Sequence, residues 1–150
     1  MKKTAALRLS YLLVGLSTFG FSACAQTGGE EQRDTTMTIE AAGEVVDLPL
    51  ARFHDRMMEQ PGQLVDVRTP EEYAGGHAQG ASNINFLDKK FLEEFEAAID
   101  KDKPVYIYCA SGNRSGKAKS ALEKAGYKYI YNLTGAGYAQ WAAAGYPTEQ

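Results

Sequence analysis

Seven consecutive residues, Cys109-Ala110-Ser111-Gly112-Asn113-Arg114-Ser115, carry this chain's clearest capacity for chemistry. They offer one thiol, one guanidinium and, between them, small or polar side chains that would line an apolar core badly. A thiol attacks as the thiolate, and a free cysteine, with a pKa of about 8.5, is mostly protonated at neutral pH. A nucleophilic role for Cys109 therefore requires surroundings that stabilise the anion.

The flanking elements have the right form to do so. Val105-Tyr106-Ile107-Tyr108, bounded by Pro104, is the short uninterrupted apolar run of a buried strand in a parallel sheet. From Asn113 onward, Ala118, Ala121, Leu122 and Ala125 fall on one helical face, and Gly126 follows as a stop. Cys109 thus stands between a strand's carboxyl end and a helix's amino end, where unpaired amides and the macrodipole favour negative charge. The expectation is a loop whose N–H groups from Ala110 to Arg114 hold a sulfur anion, with Ser111, Asn113 and Ser115 adding donors. Arg114 would add positive charge, and the thiol pKa would lie below its ordinary value. The plain alternative is an inert core cysteine at a strand end.

The rest of the chain supplies further strands and helices in alternation. Glu44–Leu48 is an edge-strand candidate, and Pro49 opens a helix carrying Leu50, Phe53 and Met57, with His54 on its solvated side. Leu64–Arg68 is a second strand, followed by a capping box in which Thr69 is N-cap, Pro70 opens the helix and Glu72 stands three residues on. Residues 81–86 read as a strand, and Asp88 caps a helix with Phe91, Leu92, Phe95, Ala98 and Ile99 on one face. Residues 127–133 form the last strand, before a helix bearing Tyr138, Trp141 and Ala142 and closed by Gly145 and Pro147. This order implies an α/β fold, a parallel sheet with helices on both faces and ligands at the strands' carboxyl ends.

Several of these residues together resemble the rhodanese family. The pattern comprises Asp66-Val67-Arg68, Glu72-Tyr73, Gly76-His77, Ala81, Asn83-Ile84, the cysteine loop with four residues between Cys109 and Arg114, and the Trp141 and Gly145-Tyr146-Pro147 close. Ala78 stands where the family usually has Ile, and Ala136 where it has the second glycine of a pair. The resemblance covers residues 40–150. It implies a rhodanese-like, five-stranded parallel sheet and sulfur transfer through a Cys109 persulfide. It also implies that Asp66 and Arg68 face the catalytic loop, against the alternative of an internal pair that braces the fold. Related phosphatases and arsenate reductases use a loop one residue longer, and binding modules on this plan usually lack the cysteine. His77, after two glycines, reads as a structural donor or acceptor to backbone. The implied partners are a sulfur donor such as thiosulfate, a persulfide or a polysulfide, and a thiol or cyanide acceptor, with no metal or organic cofactor. Uncharged Ala110 and Ser111 make thiosulfate the weaker donor expected.

The 150 residues, 44% hydrophobic and 23% charged, suit one globular domain. Lys2, Lys3 and Arg8 precede an apolar run from Leu9 to Phe21, the order of a secretory signal and too short to span a bilayer. Two processing readings overlap: cleavage around Ala23-Cys24-Ala25, or a lipobox, Phe21-Ser22-Ala23-Cys24, ending in a lipidated Cys24. The latter is preferred, because the polar, glycine-containing residues 24–39 read as a tether. The expected layout is a signal at 1–23, a tether at 24–39 and the domain at 40–150, in a periplasmic or outer-membrane protein whose membrane contact is the lipid on Cys24. Removing the signal takes away three positive charges from a chain of net charge −3, which argues against a nucleic-acid partner. It leaves Cys109 as the domain's one thiol, so no internal disulfide can form.

Overall fold

The computed structural model describes residues 43–150. The expected signal, the tether with Cys24, and residues 40–42 lie outside the described residues. Strand β1 (Glu44–Leu48) leads through Pro49 into helix α1 (Leu50–Glu59), which Pro49 caps from outside the helix rather than opening from its first turn. Strand β2 (Gln63–Asp66) is followed by helix α2 (Pro70–Ala74), whose Thr69–Glu72 capping box forms as the sequence indicates. Two short strands, β3 (His77–Ala78) and β4 (Ser82–Asn83), precede helix α3 (Phe91–Ala98). Then come β5 (Val105–Tyr108), α4 (Asn113–Lys124), β6 (Tyr129–Leu133), α5 (Tyr138–Ala143) and β7 (Thr148–Glu149).

Five strands form one parallel sheet in the order β1-β6-β5-β2-β4, so β5 lies at its centre and β1 at an edge. Because side chains alternate along a strand, β5 sends Val105, Ile107 and then Cys109 to one face, and Tyr106 and Tyr108 to the other. The first face packs under α3 and α4 through Phe91, Phe95, Ile99, Ala118 and Leu122. The second packs under α1 and α5 through Phe53 and Trp141. Both faces are thus covered, and this is why the β5 residues are buried without interruption. Truncating the fully buried Phe95 to alanine would remove about 3–5 kcal/mol.

Further details differ from the sequence expectations: the N-cap of α3 is Lys90, with Asp88 two residues before it accepting the Lys90 amide. The 81–86 strand pairs as a ladder only at Ser82–Asn83; beyond it Ile84 and Phe86 donate to the Asp66 and Val67 carbonyls one bond at a time. On α3, Leu92 and Ala98 face solvent, because the sheet takes only the narrow stripe of Phe91, Phe95 and Ile99. Ala142 on α5 is likewise exposed. His54 is half-buried rather than solvated: its ring stacks on Tyr146 with centroids 4.0 Å apart and leans on Trp141. A second, two-stranded sheet joins β3 to β7, antiparallel, with His77 opposite Glu149. Among the described residues, no helix is long and apolar enough to cross a membrane.

Candidate active site

The loop between β5 and α4 turns sharply because Gly112 takes φ +88°, a left-handed conformation that costs glycine little. It serves as the N-cap of α4 and directs the first free amides of that helix back toward the strand end. The Gly112 N–H donates to Cys109 Sγ at 3.2 Å, and the Ser115 hydroxyl donates to the same sulfur at 3.5 Å. Ser115 itself is fully buried, so its hydroxyl faces the sulfur without competition from bulk water.

Burial pushes the Cys109 thiol up, but the Ser115 hydroxyl and the amides of Ser111, Ser115 and Gly112 more than offset it, and the pKa lies below that of an ordinary thiol. The donors that this geometry turns toward the sulfur belong to Gly112, Ser111 and Ser115. The side chains of Ser111 and Asn113 are exposed instead. Cys109 is only 1% exposed, so its sulfur reacts with a molecule from solvent only when the surrounding side chains give way.

From the other side, the turn before α5 backs the loop. The Tyr138 amide donates to the Cys109 carbonyl at 3.1 Å. Gly137 lies so close that a Cβ there would fall on the Ala110 carbonyl and 2.5 Å from the Cys109 oxygen. It is thus Gly137 that makes the close approach to the loop, while Ala136, where the family has the second glycine of a pair, is buried in the core beneath α1 and α5.

Asp66 and Arg68 stand at the carboxyl end of β2, beside β5, but they engage each other. Arg68 donates its backbone N–H and Nε to Asp66 Oδ1 at 2.9 Å, and its Nη2 to Asp66 Oδ2 and to the Gly76 carbonyl. Both are buried, and the guanidinium lies 4.4 Å from the centre of the Tyr138 ring. This pair braces the end of β2 against the turn after α2 and the start of α5. His77 is buried, its Nδ1 3.1 Å from the Tyr73 carbonyl and its ring stacked on Tyr73, in keeping with a structural role.

The partner of Arg114 is one that sequence reasoning missed. Both terminal nitrogens of Arg114 donate to the Glu72 carboxylate, at 2.6 and 2.7 Å, in a two-pronged pair. Arg114 holds the Glu72 carboxyl at about 2, well below its ordinary value. The same carboxylate accepts the Thr69 amide of the capping box. A glutamate at the third position of a short helix reads as a cap, and only the fold brings it across 42 residues to the loop. Among the described residues, no group of three His, Cys, Asp or Glu side chains is placed to hold a metal.

Comparison with known proteins agrees with this layout. The model of the rhodanese-like domain family matches residues 50–144. An uncharacterized Bacillus subtilis protein, YqhL, is 47% identical over 53% of this chain, which covers 60% of that protein's length. Thiosulfate sulfurtransferase 16 of Arabidopsis thaliana is 36% identical over 58% of the chain and 79% of its own length. The Escherichia coli thiosulfate sulfurtransferase PspE is 42% identical over 47% of the chain and 67% of its own. Among solved structures, the rhodanese-like domain of an Anabaena protein superposes with a TM-score of 0.57 at 28% identity, covering 69% of this chain and 76% of that one. With the family model spanning well over half its length, and with a five-stranded parallel sheet that places a cysteine loop between a central strand and the next helix, this chain belongs to the rhodanese-like domain family.

Proposed function

We propose that this protein is a sulfurtransferase that moves a sulfane sulfur through a persulfide on Cys109. The observation that carries this reading is the convergence on one sulfur of the Gly112 amide and the buried Ser115 hydroxyl, at a helix N-terminus, with a thiol pKa below the ordinary value. The names of the relatives, thiosulfate sulfurtransferases in two kingdoms, support the same chemistry.

In the first half-reaction the Cys109 thiolate attacks the outer sulfur of the donor. With thiosulfate, a new S–S bond forms, the old one breaks, and sulfite leaves with the bonding pair. The persulfide anion left on Cys109 carries its charge one atom further into the cradle of Ala110, Ser111, Gly112, Asn113, Arg114 and Ser115. In the second half-reaction a thiolate or cyanide attacks that outer sulfur and Cys109 departs again as a thiolate. No proton has to move, so the loop acts by holding charge, and the kinetics are ping-pong. Asp66 and Arg68 act through the frame, holding the end of β2 in place.

The test is intact mass after incubation with thiosulfate: wild type gains one sulfur, and Cys109→Ser gains none. The near-complete burial of Cys109 favours a second reading, a binding module in which the thiol is never charged. An unchanged wild-type mass with thiosulfate, with a polysulfide and with a low-molecular persulfide would establish that reading and refute sulfur transfer. Export and lipid attachment at Cys24 form part of the proposal, on the strength of the basic and then apolar order of residues 2–21. A lipid-sized mass on Cys24 in membrane fractions, lost in Cys24→Ser, is the expected result, and a soluble product retaining residues 1–23 would overturn it.

A further inference from the structure

The pairing of Glu72 with Arg114 bears on which donor the site takes. Two matched charge pairs, Asp66 with Arg68 and Glu72 with Arg114, stand at hydrogen-bonding distance at the end of β2 and beside the Cys109 loop. Within the loop from Ala110 to Ser115, Arg114 is the one charged side chain. Its guanidinium offers both terminal nitrogens to Glu72, and that carboxylate stays ionised down to about pH 2. The pair therefore presents no net positive charge, and what remains to attract an anion is the set of loop amides and the helix dipole.

We propose that Glu72 is a specificity-determining residue: by neutralising Arg114 it selects against doubly charged donors such as thiosulfate and leaves singly charged persulfides or hydropolysulfides as the preferred substrates. This rests on the sulfurtransferase reading and deepens it. A thiolate meeting thiosulfate brings one negative charge against two, whereas hydrogen disulfide, HSS⁻, brings one against one. With HSS⁻ the Cys109 thiolate bonds to the outer sulfur and HS⁻ leaves, so charge and atoms balance as they do with thiosulfate and sulfite. The repulsion is about twice as large for thiosulfate, and a free Arg114 would offset one charge of it.

Glu72→Gln is the informative variant, because a glutamine keeps an oxygen to accept the Thr69 amide and so preserves the cap while releasing the guanidinium. The expected result is a KM for thiosulfate about tenfold lower, with kcat little changed and a clearly smaller effect on HSS⁻. In the double variant Glu72→Gln with Arg114→Gln, the gain disappears. A merely structural Glu72 would instead lower kcat/KM for both donors alike, and that outcome overturns the proposal.

Wild type gives an independent readout. Raising the salt concentration screens like-charge repulsion, so kcat/KM for thiosulfate is expected to rise with salt and to do so more steeply than for HSS⁻. A fall with salt would show an uncompensated positive charge beside the loop and refute the neutralisation. If neither donor adds mass to Cys109 in wild type, the sulfurtransferase reading fails before this one is reached, so the two failures are distinguishable.

Discussion

Replacing Ser115 by alanine is the sharpest test of how the loop activates its sulfur. The hydroxyl is fully buried, lies 3.5 Å from Sγ, and is the largest of the influences that hold the thiol below its ordinary pKa. Hydrogen bonds to a charged partner contribute about 1.5–3 kcal/mol, and the long contact to sulfur places this one near the lower limit. One pKa unit corresponds to about 1.4 kcal/mol, so Ser115→Ala should raise the thiol pKa by about one unit while the Gly112 amide stays in place. The assay is the pH dependence of alkylation by iodoacetamide. The midpoint should move up by about one unit, and the rate near neutral pH should fall by about threefold, because a roughly tenfold loss of thiolate is partly offset by the greater nucleophilicity of what remains. Above the midpoint the order reverses: the more basic thiolate is the better nucleophile, and the plateau should rise by about threefold for a Brønsted slope near 0.5. An unmoved midpoint, or one that moves down, would refute the view that the buried hydroxyl stabilises the anion.

Three further outcomes follow from the geometry. Gly137→Ala forces a Cβ into the Ala110 and Cys109 carbonyls, which belong to rigid backbone; urea unfolding should show a loss of about 3 kcal/mol, and the charging of Cys109 should slow because the Tyr138 bond to its carbonyl is strained. Asp66→Asn leaves the Arg68 guanidinium buried without its counter-charge, and the same assay should register a cost of about 3–5 kcal/mol. For Glu72 the folded-state pKa is depressed from 4.5 to about 2, so its stabilisation is complete above about 4.5 and is lost as the pH falls toward about 2. With a third of its side chain in solvent, the screened contribution is about 1 kcal/mol, and the stability gap between wild type and Glu72→Gln should shrink by roughly half on going from pH 6 to pH 3.

The parts of this fold that could be read from the sequence are those decided by near neighbours. Val105–Tyr108 announces a strand buried on both faces, Thr69-Pro70-Glu71-Glu72 a capped helix, and Gly126 a helix end. Where the β4 ladder stops, Asn83 donates its side-chain amide to the Asp66 and Arg68 carbonyls, contacts across some fifteen residues that no local pattern carries. Leu92 and Ala98 satisfy helical periodicity but lie outside the stripe that the sheet covers, and the width of that stripe depends on how α3 sits. The site divides along the same line. The Cys109 loop, with Gly112 and Ser115, is set by a strand, a turn and a helix within some twenty residues. The Arg114 partnership, the pairing of Asp66 with Arg68 and the backing by Gly137 all depend on segments far apart in sequence.

The almost complete enclosure of the Cys109 side chain also protects it. Peroxide and other oxidants reach this sulfur only when the surrounding side chains give way, so its progress to sulfinic and sulfonic acids depends on how often they do as well as on how reactive the thiolate is. An activated cysteine open to solvent would otherwise be oxidised more readily. Reactivity and durability are thus set by different parts of the molecule, the first by the inward-facing donors and the second by the side chains closed over them.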